Sequence, residues 1–112
     1  MPESTKSPAE VLKAAADLLE KPGAWTQGAY ARDSSGKSVG PDSQLAECFC
    51  ALGAIRRSGN YADDVNPAAM ALGRSIGFRV GDWNDALKRT QSEVVAALRE
   101  AARQASIRGG EA

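Results

Sequence analysis

After six polar residues the chain settles into a helical rhythm. Between Ser7 and Gly23 the apolar residues Val11, Leu12, Ala15, Leu18 and Leu19 recur at spacings of three and four, which places them on one face of an α-helix. Ser7 and Glu10 stand three apart as a capping box, Pro8 suits the first turn, and Pro22-Gly23 ends the pattern. The rhythm returns three times. From Asp42 or Ser43 to about Ser58 it puts Leu45, Cys48, Phe49, Leu52 and Ile55 on one face, with Gly59 as the stop. Asn66 and Pro67 open a shorter helix that turns Leu72 and Ile76 inward and ends at Gly77. Thr90 and Glu93 form a second capping box ahead of a stripe made by Val94, Val95, Leu98, Ala101, Ala102 and Ala105.

Between the first two helices the rhythm is lost. The stretch AWTQGAYARDSSGKSVGP alternates aromatic and small residues around a turn that needs Gly36 at positive φ. It predicts a short β-hairpin, Thr26–Arg32 against Lys37–Val39. Two such strands are barely stable alone, so Trp25 and Tyr30 are expected to anchor them on the helices. Residues 78–80 read as an extended link, and 81–89 as a loop or single helical turn in which Asp82 caps and Trp83 packs at the core's edge. The expected fold is mainly α: one compact domain over residues 7–106, with about four helices and a short hairpin between the first two. Residues 1–6 and 107–112 are expected to be flexible termini.

A chain of 112 residues suffices for one modest core. Fourteen basic and fourteen acidic residues cancel, which speaks against a domain held by the phosphate field of a nucleic acid. No apolar run approaches the length of a membrane span. The polar N-terminus carries no secretory core, so a cytoplasmic setting with free thiols is expected. The absence of histidine has the largest consequence. It removes Ser–His and Cys–His pairs, histidine-based zinc sites and the usual near-neutral proton carrier.

The remaining candidates for chemistry are few. On the predicted second helix Cys48 and Cys50 point roughly 200° apart, so they neither bridge nor share an ion. Cys48 then reads as core, and Cys50 as part of a small-residue face with Ala46, Gly53 and Ala54 that admits another backbone. A reactive Cys50 would need Arg56 or Arg57 to lower its pKa. Mid-helix placement, with both cations toward the C-terminal end, favours packing instead. Asp82, Asn84 and Glu93 match three positions of a calcium loop, but Ala86 and Leu87 stand where a ligand and a glycine are required. No metal and no cofactor are expected. Asp63 and Asp64 read as solvated loop acids, and Lys37 as an exposed turn residue rather than part of a phosphate loop. Arg56, Arg57, Arg74, Arg79, Lys88 and Arg89 are expected to pair with Asp63, Asp64, Asp82 and Asp85.

Three segments together, WTQGAYARDSSG, CALGAI and WNDA followed by TQSEVVAAL, carry a resemblance. The chain resembles small bacterial and bacteriophage proteins grouped as a domain of unknown function. Their matching positions here are Trp25, Gly28, Arg32, Asp33, Gly36, Cys50, Gly53, Ala54, Trp83, Asn84 and Asp85. The resemblance covers about Val11 to Ala102 and implies a single domain in a mobile-element or accessory setting, without an activity to carry over. The function expected is a non-catalytic module that binds another protein or its own copy. Trp25, Tyr30, Arg32, Trp83, Asn84 and Asp85 form the expected interaction surface, because amphipathic aromatics dominate such contacts. The alternative is a small-ligand receptor or a thiol or carboxylate enzyme using Cys50 or the Asp82/Asp85 pair. Neither a membrane nor a nucleic acid is an expected partner.

Overall fold

The two capped helices at the ends of the chain build most of the core. The computed structural model describes residues 6–60 and 62–108. Helix α1, Pro8–Glu20, starts at Ser7 with both bonds of the capping box in place. It buries Val11, Leu12, Ala15, Ala16 and Leu19. Helix α5, Gln91–Arg108, opens at Thr90, whose backbone N–H donates to Glu93 while its hydroxyl accepts from the Glu93 N–H. Val94, Leu98 and Ala101 lie fully in the core against α1. Gln91 adds a cross-link by donating to the Leu19 carbonyl in the last turn of α1 and to the carbonyl of its C-cap Lys21.

The middle of the chain departs from the expected second helix. Strands β1 (Ala31–Arg32), β2 (Ser38–Val39) and β3 (Cys48–Phe49) form an antiparallel sheet in the order β2-β1-β3. The hairpin between β1 and β2 lies where the sequence puts it but is shorter, and Gly36 turns it at φ 89°. Asp33 organises that turn by accepting from the backbone of Ser35 and Lys37. The third strand was not expected. Glu47 N–H donates to the Arg32 carbonyl and Cys50 N–H to the Tyr30 carbonyl, so pairing with β1 claims backbone that a helix from Asp42 would need. Phe49 is a good strand former and packs in the core, which favours the extended form. On its other side Phe49 bonds the backbone of Ala24 and Thr26, adding that segment to the sheet edge.

Helix α2 is therefore only Ala51–Ser58, with Cys50 as its N-cap. Leu45, expected in the core, is exposed in the preceding turn. Helix α3 runs Ala62–Ile76, so Pro67 lies inside it rather than leading it. Asp64 is correspondingly not a solvated loop acid. It is 1% exposed and accepts from the backbone N–H groups of Lys6 and Asn60. A further short helix, α4 (Val80–Asn84), brings the count to five among the described residues. It has Arg79 at its N-cap, so Asp82 sits within its first turn and does not cap it. Of the expected flexible termini, Lys6 is held by Asp64 and by the Ser58 carbonyl, and Ile107 belongs to α5. Residues 1–5 and 109–112 lie outside the described residues. No helix among the described residues is long and apolar enough to cross a membrane.

Candidate functional site

The hairpin segment, the start of α2 and the end of α4 meet at one side chain, Asn84. Its amide is fully buried and uses every hydrogen-bonding position it has. Oδ1 accepts from Trp25 Nε1 at 2.8 Å and from the Ala51 backbone N–H at 3.0 Å. Nδ2 donates to the Thr26 carbonyl at 3.2 Å and to Asp85 Oδ1 at 2.9 Å. Gln27 closes the same joint by donating to the Asn84 and Ala86 carbonyls, and Gly28 N–H donates to Asp85 Oδ1. Three segments distant in sequence are thus fixed by directional bonds.

Arg32 does similar work in the hairpin. Its guanidinium donates to Thr26 Oγ1 and to the Gln27 and Gly36 carbonyls. Of the six residues expected to form an interaction surface, four bond within the protein, Trp25, Arg32, Asn84 and Asp85, and of these Asp85 stays exposed. Asn84 has no exposed area at all, because the amide that marks it as a surface contact is consumed by the joint. Tyr30 and Trp83 keep part of their rings at the surface.

Cys50 lies beside this joint. A cleft of about 350 Å³ is lined by Gly28, Ala29, Tyr30, Ser38, Cys50, Leu52, Gly81 and Asp85. As the N-cap of α2, Cys50 is not mid-helix, and its Sγ accepts from the Gly53 N–H at 3.3 Å. Burial pushes the thiol pKa up and the nearby Asp85 charge adds to this, against the Gly53 and Leu52 N–H groups that favour the anion. Cys50 is 7% exposed, so the helix terminus does not prevail over desolvation. Cys48 belongs to a strand and is half-buried, not a core residue of a helical stripe. Residues two apart in extended backbone share a face, so the helical argument for separating the two cysteines does not apply. Both are free thiols. The close backbone approach expected at Gly53 is present: a Cβ there would collide with the Tyr30 carbonyl oxygen.

A second concave surface lies on the outer side of α4. It measures about 430 Å³ and is lined by Phe78, Arg79, Asp82, Trp83, Ala86 and Arg89. Arg89 stacks on the Trp83 ring at 4.2 Å from its centroid and donates to the Trp83 carbonyl. Phe78 is 67% exposed, and Leu87, next to Ala86 in the chain, is 90% exposed. Sequence reasoning passed over both. The available signal was that each stands off every apolar stripe, between Gly77 and Arg79 or beside Lys88. Gln27 was missed as well, and nothing in its local sequence marks it.

The arginines do not pair as expected. Arg56 lies over Tyr30, Arg57 lies over Phe49 and donates to the Pro41 and Ser43 carbonyls, and Arg89 bonds Glu93. No ion pair joins the basic residues to Asp63, Asp82 or Asp85 among the described residues. No three His, Cys, Asp or Glu side chains gather as a metal set among the described residues.

Comparison with curated proteins finds no match, and comparison with solved structures finds none either. The sequence itself places the chain. It matches the family of unknown function DUF6197 over residues 3–104, and the chain belongs to that family.

Proposed function

We propose that this protein is a non-catalytic binding module that engages another protein through the outer face of α4. The observation that carries the reading is the exposure of Phe78 in the groove it shares with the half-buried Trp83, with Leu87 exposed next in the chain to Ala86 of the same groove. Large apolar side chains grouped around a groove are the usual mark of a contact surface, whereas an isolated exposed leucine needs no explanation. The Asn84 joint supports the reading by giving the groove a rigid base, since α4 alone is too short to hold a shape. The resemblance to bacterial and phage proteins fits an accessory role in the cytoplasm, where the two thiols would stay reduced.

The test compares the full chain with a Phe78→Ser, Leu87→Ser variant. Both positions are exposed, so the change should leave stability within about 0.5 kcal/mol. The wild-type chain is expected to form a stoichiometric complex, with a host protein or with itself, that the variant loses in sedimentation. A wild-type chain that stays monomeric and retains nothing the variant does not also retain would sink the reading.

A second reading, a small-ligand receptor or thiol enzyme, draws on the cleft that Cys50 shares with Asp85 and Tyr30. Nucleophilic use of Cys50 requires a thiolate, and both burial and the Asp85 charge oppose one. Binding is therefore the stronger form of this alternative.

A further inference from the structure

We infer that the groove on α4 receives a short acidic segment of another protein, with an apolar side chain seated between Phe78 and Trp83. This rests on the binding-module reading above. The apolar part follows from the walls: Phe78, Trp83 and Ala86 supply carbon surface, and the upper face of Trp83 is covered by the Arg89 guanidinium rather than by water.

The acidic part follows from charge. Two guanidinium groups, Arg79 and Arg89, line the groove against one carboxylate, Asp82. Arg79 has no ion-pair or hydrogen-bond partner among the described side chains, and it makes no cap bond at the start of α4. Arg89 is ion-paired with Glu93 at 3.4 Å through one nitrogen, so Arg79 is the groove's free cation among the described residues. Lys88 is exposed beside Arg89. The third acid of the region, Asp85, is exposed but lines the other cleft, where it accepts from Gly28 and Asn84, and it is not part of this groove. A planar guanidinium next to an aromatic face suits a carboxylate flanking an apolar residue.

The same charges disfavour a second copy of this chain as the occupant. In a two-fold dimer the face meets itself, which would set Arg79, Lys88 and Arg89 against their own counterparts. Like charges brought together across an interface are strongly unfavourable. The overall balance of fourteen basic and fourteen acidic residues argues equally against a nucleic acid.

The test uses the full chain and two blocked tetrapeptides, acetyl-Asp-Phe-Leu-Glu-amide and acetyl-Lys-Phe-Leu-Lys-amide, in NMR titrations. The Trp83 indole N–H reports on the groove. The Trp25 indole N–H, bonded to Asn84, serves as the internal control. The acidic peptide should shift Trp83 saturably and leave Trp25 in place. The basic peptide, and the acidic peptide against Arg79→Glu, should bind at least about tenfold more weakly. Equal binding of the two peptides, no loss with Arg79→Glu, or shifts centred elsewhere would overturn the inference. So would a self-dimer abolished by Phe78→Ser, since a second copy would then fill the groove. These outcomes leave the binding-module reading standing, because that reading fails only if the Phe78/Leu87 variant loses no complex.

Discussion

The α1–α5 side of the molecule and the Asn84 side are held together by different forces. On the first, Val11, Leu12, Leu19, Val94 and Leu98 are fully buried, and each contributes about 1.5–3 kcal/mol by leaving water. That attraction has no direction and tolerates a change of shape if volume is kept. On the second side the elements are strands of two residues and a helix of five, none of which is stable alone. Directional bonds to one amide fix the segment before the hairpin, the start of α2 and the end of α4. Such a joint tolerates little exchange of donor for acceptor, however well the new side chain fits. The difference suggests that the helical side carries stability and the Asn84 side carries shape, including the shape of the groove beside Trp83.

Substitutions that conserve size separate the two regimes most sharply. Leu98→Met should cost under about 1.5 kcal/mol in chemical denaturation. Asn84→Asp keeps the bulk of the side chain but turns Nδ2 into an oxygen facing the Thr26 carbonyl and the Asp85 carboxylate. It should cost on the order of 4 kcal/mol, as expected for an uncompensated buried charge. Trp25→Phe removes one donor and keeps most of the ring, so about 1 kcal/mol is expected. If Asn84→Asp proves no more costly than Leu98→Met, the joint is not what holds this side together.

Gly53→Ala sharpens the comparison from the backbone side. The added methyl meets the Tyr30 carbonyl oxygen, which is main chain and cannot rotate away. Overpacking against a fixed neighbour costs about 1–3 kcal/mol. Ala54→Gly, one residue further along α2, adds no bulk and should lose only about 1 kcal/mol through helix propensity, plus whatever its buried methyl contributes. The Gly53 variant should also shift the amide resonances of Tyr30 and Ala31, while those of α5 stay in place. Unchanged β1 resonances would show that the approach of α2 to the sheet is looser than described.

These two regions were also unequally legible in the sequence. Helix ends written by residues three apart, Ser7 with Glu10 and Thr90 with Glu93, are local, and both capping boxes are present as read. The second helix was misread from Asp42 to Phe49 because its competitor is distant: the strand forms by pairing with β1, 16 residues earlier at Arg32 and Cys48. The apolar spacing of Cys48, Phe49 and Leu52 suits either outcome. Asn84 stands among the expected contacts only as a neighbour of Trp83, and nothing local in the sequence marks it as buried. Its bonds to Trp25 and Thr26, 59 and 58 residues away, and to Ala51, 33 away, put it inside. Gly53 was legible because a glycine among small residues signals close approach whatever element it packs against.

Cys50 gives the smallest expected effect and tests whether the boundary between the regimes is where it is drawn. It sits in the polar half, yet its sulfur behaves as a buried apolar group, with burial as the main force raising its pKa. An unfolded thiol titrates near 9.0, and the folded one titrates higher. Between those values the unfolded chain has released a proton that the folded chain retains, so stability falls as pH rises through the window. Below it the contribution is fully present. Cys50→Ser keeps an oxygen that can cap Gly53, as serine does well, and it removes this titration. The wild-type chain should therefore lose stability more steeply than the variant above pH 9.0, with parallel curves at lower pH. Thiol labelling of the folded chain should show one faster group, the half-buried Cys48, and one slow group. Parallel curves throughout, with two equally fast thiols, would mean that water reaches Cys50 and that the cleft it shares with Asp85 is open to ligands after all.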